Sequence, residues 1–354
     1  MPDRPRLSPA IADVRRAVRG ALAGLPPTAR VSAPLVLVAL SGGPDSLALA
    51  AAAAFEAPRA GLRAGAVIVD HGLQPGSADA AARAAQQATE LGLAPVRVER
   101  VQVGAEGGPE AAARTARYAA LERAASELGA AAVLLGHTLD DQAETVLLGL
   151  ARGSGAASLQ GMRAHWPAAS GRFVFLRPLL GIRRATTGRA CSDAGLEPWT
   201  DPQNADAAFT RVRVRQRVLP VLEAELGPGV AEALARTADQ LREDADALDS
   251  FAEELVEDLA EHAEAGISLD AAALAANPAA LRQRLIRLAV SSEFGVALSR
   301  QQTLEVARLV TDWHGQEGID LPGVRVVRRD GRLHFESTTF VSRNGEARGS
   351  DGTA

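Results

Sequence analysis

Over the first half of the chain the apolar residues gather into short, nearly unbroken runs. Pro34–Leu40 (PLVLVAL), Ala64–Asp70 (AGAVIVD) and Ala131–Gly136 (AAVLLG) are three of them, and Pro95–Val103 reads as another strand. Continuous apolar strands of this length are buried on both faces. Helical segments alternate with them: an arginine-bearing helix at about 9–23, one from a Gly-rich turn to about Phe55, one starting near Ser77, one over Pro109–Leu128 and one from about Leu139 to Ala151. Such alternation predicts an α/β fold, a doubly wound parallel sheet covered by helices on both faces. Beyond residue 220 the pattern turns helical and closes in a hairpin, with Val324–Val327 and Leu333–Phe335 flanking Asp330-Gly331. The expected organisation is a lead-in over 1–30, a nucleotide-type α/β domain over 31–220, a mostly helical domain over 221–341 and a tail over 342–354.

Composition narrows the chemistry. The 354 residues are 47% apolar and 23% charged, the balance of a globular chain long enough for two cores. No run reaches the ~18 apolar residues of a membrane span, and the first residues lack a basic stretch followed by an apolar core, so a cytoplasmic location is expected. Cys191 is the single cysteine, which excludes an intrachain disulfide, a Cys-x-x-Cys pair and a cysteine-held iron–sulfur cluster. There is no lysine: all 38 basic residues are arginine, so a Walker-type phosphate lysine and a Schiff base are both excluded. Charge is uneven. Residues 163–217 carry ten arginines against four acids, net +6, and residues 218–270 carry two against fifteen, net −13. The acidic stretch reads as a solvated helical face, and the basic block could hold a polyanion.

Three strand ends run into polar residues, and in an open parallel sheet such ends share one crevice. The first, Ser41-Gly42-Gly43-Pro44-Asp45-Ser46, joins a buried strand to a helix. Its backbone N–H groups can cradle phosphate, the glycines permit close approach, and Ser41 and Ser46 offer hydroxyls. Asp45 is out of place in a plain anion cradle and points to a divalent cation. The second is Asp70-His71; a histidine there is also commonly a structural residue. The third, His137 to Thr145, sets Asp141 and Glu144 at i and i+3, on one side of a helix's first turn. Thr138 as N-cap with Asp141 at N3 would explain the same residues as capping. Arg114 and Arg117, a turn apart, are candidate phosphate clamps. Arg211, Arg213, Arg215 and Arg217 alternate with Val212, Val214 and Gln216; a strand would show all four charges on one face and a helix would not. The +6 block containing them is the candidate contact to an RNA backbone, which binds mainly through phosphate. Trp166 and Trp199 are read as packing residues.

The first cluster resembles the SGGxDS loop of the PP-loop ATP pyrophosphatases. SGGPDS, DHGL, EAAARTARY, HTLDDQAETVLLGLARGSG, SLQGM, RPLL and WTDPQN, in this order from about Val36 to Pro220, resemble the tRNA(Ile)-lysidine synthase family. From Ile267 to Phe335 the likeness is weaker, resting on an ISLD start and an LPG turn. The resemblance implies a carbon–nitrogen ligase that adenylates the C2 oxygen of cytidine 34 in the CAU anticodon of tRNA(Ile) and then displaces AMP with free L-lysine. It implies ATP and magnesium as cofactors and no membrane partner, and it is compatible with a homodimer. It places Ser41, Gly42, Gly43, Pro44, Asp45 and Ser46 on ATP, and Asp45, Asp141 and Glu144 near magnesium and the reacting centre. His71, Arg114 and His137 fall in the same pocket. Val212 stands where the family usually has asparagine. The alternatives are another PP-loop enzyme, or a nucleotide sensor or RNA-binding module on the same fold.

Overall fold

A computed structural model describes residues 8–25, 33–72, 76–104, 108–153, 155–199, 206–263 and 266–338. Leu73 of the DHGL segment, Ser154, residues 200–204 of WTDPQN and the tail from Ser342 lie outside these. The chain divides into two compact units between residues 241 and 242.

In the first unit, β1 (Leu35–Ala39), β2 (Arg63–Asp70), β3 (Val96–Arg100), β4 (Ala130–Leu135), β5 (His165–Pro167) and β6 (Val174–Leu176) form one sheet. The order is β3-β2-β1-β4-β6-β5, parallel throughout except for β5 against β6. The helices are α1 (Pro9–Ala23), α2 (Pro44–Glu56), α3 (Ser77–Glu90), α4 (Pro109–Leu128), α5 (Leu139–Ala151), α6 (Ala156–Leu159), α7 (Arg184–Asp193), α8 (Thr210–Arg213) and α9 (Leu219–Leu226), followed by α10 (Val230–Leu259), within which the boundary between the units falls. Alternate residues of β1 enter different cores. Val36 and Val38 pack with α1, α2, α3 and α7, whereas Leu35 and Leu37 pack with Leu121 and Ala124 of α4 and with Phe173 and Phe175. This is the doubly covered sheet that the unbroken apolar runs imply. Burial of each such valine or leucine is worth about 2 kcal/mol. The predicted bounds of α1, α4 and α5 agree with those observed, and each has a local cause. Ser8 caps α1, accepting from Ile11 N at 3.2 Å, proline opens α1 and α4, and Thr138 caps α5.

Strand order reverses at β1 and β4, so the crevice opens beyond their carboxyl ends. Gly136, just after β4, lets this end approach closely: a Cβ there would lie 3.0 Å from Ser46 N and 3.2 Å from the Asp45 carbonyl carbon. On the far side of α5, Leu139 and Ala143 pack with Val214, Leu219, Ala231 and Ala235, which ties the first turns of α10 to the first unit.

The second unit holds more sheet than the hydrophobic pattern indicates. β7 (Ala260–Ala263), β8 (Gly266–Asp270), β9 (Ile319–Leu321), β10 (Val324–Arg329) and β11 (Arg332–Ser337) form an antiparallel sheet in the order β7-β8-β11-β10-β9. The expected hairpin is its centre, with Arg329 opposite Arg332 across Asp330-Gly331. Both turn residues have positive φ, 50° and 74°, as a two-residue hairpin turn requires. Helices α11 (Ala271–Ala276), α12 (Ala279–Phe294) and α13 (Arg300–Thr311) cover it, around a core that includes Leu269, Leu285, Ile286, Val306, Val324, Leu333 and Phe335. Among the described residues, no helix is long and apolar enough to cross a membrane.

Candidate active site

The Ser41–Ser46 turn is shaped by its own side chains. Ser46 Oγ accepts from Ser41 N at 3.1 Å and donates to Gly43 O at 3.0 Å, and Gly42 takes φ +83°. Ser46 is therefore committed to the loop, while Ser41 is exposed. Trp199 N donates to Gly42 O at 2.9 Å from the other side. Gly43, the N-cap of α2, supplies no side-chain cap. The first N–H groups of α2 thus face the crevice with the positive end of the helix dipole behind them.

Asp45 leaves this turn towards α5 and α7. Thr187 Oγ1 donates to its Oδ1 in a short hydrogen bond, and Arg184 Nε lies 3.5 Å from its Oδ2. The same guanidinium reaches Asp141 Oδ1 at 2.7 Å and Glu144 Oε1 at 3.2 Å. Glu144 is fully buried and also accepts from Arg211 Nε at 2.9 Å and Arg215 Nε at 2.8 Å. The three carboxylates expected to meet in the crevice do meet, and three arginines from α7, α8 and the π-turn at Val214–Val218 balance them. Asp141 divides its oxygens. Oδ2 accepts from Thr138 N at 2.8 Å and from Thr138 Oγ1 at 2.9 Å, which completes the capping box, and Oδ1 serves the arginines. Capping and site membership are thus both true of it.

Charge follows these contacts. Burial raises Asp45 above the ordinary carboxylate range and outweighs Thr187 and Arg184. Burial also presses on Asp141, but Arg184 and the Thr138 N–H overcome it and hold that carboxyl below its usual value. Arg184 is raised in turn by Asp141, Glu144 and Asp45, against the opposing effect of burial.

A second group of cations, with Asp141 among them, surrounds His137. Arg177, 6% exposed, donates from Nε to His137 Nδ1 at 3.2 Å, from Nη1 to Arg163 O at 2.7 Å and from Nη2 to Tyr118 OH at 3.3 Å. It also stacks 4.0 Å from the Trp166 ring centre. Arg114 reaches Tyr118 OH at 3.4 Å. His137 falls to about 3, through burial first and then the charge of Arg177. His71 is lowered by burial and by Arg117, against the pull of Asp70, and its enclosed Nδ1 has no partner among the described residues. Asp70 accepts from Gly72 N at 3.0 Å and Arg100 Nε at 3.3 Å, fixing the turn that carries His71. Both histidines are thus neutral in the folded chain at pH 7.

The expected magnesium trio is not arranged as a joint ligand set. The guanidinium of Arg184 occupies the space between the three carboxylates. Among the described residues, no three His, Cys, Asp or Glu side chains are placed to hold a metal.

The arginine run is helical, so its four charges do not share a face. Arg211 and Arg215 turn inward to Glu144. Arg213 donates to Ala207 O and Ala208 O, both at 2.7 Å, and Arg217 is exposed. Val212 is buried. Trp166 stacks on Phe175 with centroids 5.0 Å apart, a packing residue as expected. Sequence reasoning missed Arg177, Arg184 and Thr187. The available signal was electrostatic: three carboxylates converging in a crevice need cations at hand, and the +6 block is where they come from.

Comparison with known proteins agrees with this geometry. Residues 21–222 match the PP-loop domain model, and residues 269–334 match the TilS substrate binding domain model. The chain is 62% identical over 306 residues to the tRNA(Ile)-lysidine synthase of Leifsonia xyli, covering 86% of this chain and 90% of that one. It is 56% identical over 329 residues to that of Thermobifida fusca, covering 92% and 97%. It is 53% identical over 302 residues to that of Mycobacterium tuberculosis, covering 84% and 89%. Among solved structures, the U34-tRNA thiolase of Methanococcus maripaludis superposes with a TM-score of 0.54 at 21% identity, covering 66% of this chain and 80% of that one; this likeness is one of fold. With both family models matched and more than half the residues shared over most of its length, the chain belongs to the tRNA(Ile)-lysidine synthase family.

Proposed function

We propose that this protein joins free L-lysine to C2 of cytidine 34 in the CAU anticodon of tRNA(Ile), at the expense of ATP, in the cytoplasm. The observation that carries the reading is that Asp45, inside the uncapped Gly-Gly turn, shares the Arg184 guanidinium with Asp141 and Glu144.

In the first step the C2 oxygen of cytidine forms a bond to the α-phosphorus of ATP, the α–β phosphoanhydride bond breaks, and pyrophosphate leaves. The N–H groups of the Ser41–Ser46 turn cradle phosphate. Arg114 and Arg117 offset the negative charge that builds on the phosphate oxygens. Magnesium belongs to this reading as part of the substrate, Mg·ATP, where it would offset phosphate charge. In the second step the ε-amino nitrogen of lysine bonds to C2, and AMP departs with the oxygen.

A cavity of about 220 Å³ beside Glu144 suits an amino acid. Asp140, Arg183, Arg184 and Arg215 line one side, and Leu219, Pro220 and Ala231 supply apolar surface. Each acid there already holds a guanidinium, so a substrate ammonium would enter by exchange for an arginine. Sulfur transfer lacks support in this chain: Cys191 is buried, its thiol is bonded to Pro44 O at 3.3 Å, and burial pushes it up to about 11.

The test supplies purified protein with labelled lysine, ATP and unmodified tRNA(Ile) bearing CAU. Label is expected in that tRNA. Absence of label, or equal labelling of a CAU methionine tRNA, would refute the reading.

A further inference from the structure

We infer that Arg177 is a positioning residue that holds His137 as the neutral Nε2–H tautomer, so that His137 serves the adenylation step as a fixed hydrogen-bond donor and neither gains nor loses a proton. The inference rests on the functional reading above, with His137 in the nucleotide pocket as the family resemblance implies.

The donor inventory supplies the first argument. A guanidinium has N–H donors and no acceptor. Arg177 Nε–H is directed at His137 Nδ1 at 3.2 Å, so Nδ1 must present its lone pair. A neutral ring then has its proton on Nε2. That nitrogen has no hydrogen-bond partner among the described residues, which leaves its N–H available to a ligand.

The second argument is that Arg177 itself cannot turn away cheaply. Nη1 and Nη2 each spend an N–H on Arg163 O and Tyr118 OH, its plane lies on Trp166, and it is almost fully buried. Arg177 thus imposes its geometry on the histidine.

The third argument concerns charge. The groups that act on the ring are Arg177 from the end of β6, Arg114 and Arg117 from α4, and Asp141 from α5. Asp141 is the single acid among them, and it is already paired with Arg184 and Arg215. An imidazolium would set a second N–H against that of Arg177 amid three cations. The fall of His137 to about 3 agrees with this.

A neutral donor suits the adenylation step, because charge migrates from the α-phosphate to pyrophosphate without any proton needing to move there. Donation from Nε2–H strengthens as the accepting oxygen gains charge and needs no particular pH.

The experiment uses the full chain with 15N-labelled histidine, and a His137→Gln spectrum assigns the ring. We expect His137 to show a protonated Nε2 and a bare Nδ1, with no titration between pH 5 and 8. Adenylation of tRNA, followed as transfer of labelled AMP, should be retained largely in His137→Gln. Its amide N–H sits near the place of Nε2 and cannot take up a proton. His137→Ala should lose about 100–1,000-fold, the range for removal of one donor to developing charge. In Arg177→Met the ring should begin to titrate, and the adenylation rate should acquire a matching pH limb. Arg177→Lys should restore much of the wild-type behaviour. A wild-type ring protonated on Nδ1, or one titrating between pH 5 and 8, overturns the inference even if Arg177 variants fail to fold. So does a His137→Gln variant as inactive as His137→Ala. A His137→Ala variant at the wild-type adenylation rate overturns the functional reading of His137, and the inference with it. An Nδ1–H ring beside an impaired His137→Ala overturns the inference alone.

Discussion

Glu144 Oε2 accepts from Arg211 Nε at 2.9 Å across 67 residues of sequence, and the carboxylate has no solvent exposure. It is the anion on which Arg184, Arg211 and Arg215 all converge. Removing one member of a buried charge set strands the others, at a cost of about 3–5 kcal/mol. Glu144→Ala is therefore expected to lose about that much stability in urea unfolding, in addition to activity. The double variant Glu144→Leu with Arg211→Met should recover part of the loss, because one stranded cation goes with the anion. A Glu144→Ala protein within 1 kcal/mol of wild type would contradict the role of Glu144 as the balancing charge.

Asp45 trades stability for chemistry. Its native pKa is raised by burial, so between the ordinary carboxylate value and the raised one the folded chain binds more protons than the unfolded chain. Stability therefore falls as pH rises through that window, and the cost persists at neutral pH. Asp45→Asn removes the charge and leaves an oxygen for Thr187. It should raise the melting midpoint at pH 7, and the gain should shrink as pH is lowered towards 4. Adenylation should drop by at least about 100-fold, with tRNA binding kept. A midpoint at or below wild type at pH 7, or adenylation left intact, would contradict this assignment.

Gly136 tests how closely β4 must approach the nucleotide turn. A Cβ at that position would meet backbone: Ser46 N at 3.0 Å, Ser46 Cα at 3.1 Å and the Asp45 carbonyl carbon at 3.2 Å. The turn would have to retreat by a few tenths of an ångström, since backbone cannot rotate aside. Gly136→Ala should raise KM for ATP about tenfold, with a stability cost of about 1–3 kcal/mol typical of overpacking. Gly20, in the last turn of α1 with nothing within 4 Å of its Cβ direction, is the control. Gly20→Ala should be stabilising by about 0.5–1 kcal/mol and leave KM for ATP unchanged. Equal effects of the two substitutions would show that the contact at Gly136 has no special bearing on the nucleotide turn.

What could be read from sequence divides along a physical line. The central strands β1, β2 and β4 were legible because each is a run of apolar residues buried on both faces, and α5 because Thr138 and Asp141 signal its start locally. β5, β6 and β9 are three residues each, too short to show a period. β7 follows the acidic helix directly, and no turn dipeptide separates it from β8 (GISLD), so the second sheet was seen only as its β10–β11 hairpin. In the site, the turn, the strand-end histidines and the acids were legible because each lies in one continuous motif. Arg184, Arg211 and Arg215 were not legible as their partners. They reach Glu144 from 40, 67 and 71 residues away on long side chains whose direction no local spacing encodes.

The arginine run gives the last prediction, because the structure separates residues that the sequence presented as equals. Arg211 and Arg215 are held by Glu144, and Arg213 is held by the carbonyls of Ala207 and Ala208. A guanidinium already bonded to protein releases few counterions when RNA arrives, whereas an exposed one releases them fully. Arg217 is the exposed member of the four. If this run meets the anticodon-stem backbone, Arg217→Ala should lower the slope of log affinity against log salt by about 0.7–0.9, one phosphate contact. Arg213→Ala should leave the slope unchanged. Filter binding of tRNA over a salt series measures both. Equal slope changes for the two variants would mean that Arg213 leaves its carbonyls on binding and that the run presents more than one charge to RNA. No change in either would place the RNA backbone elsewhere.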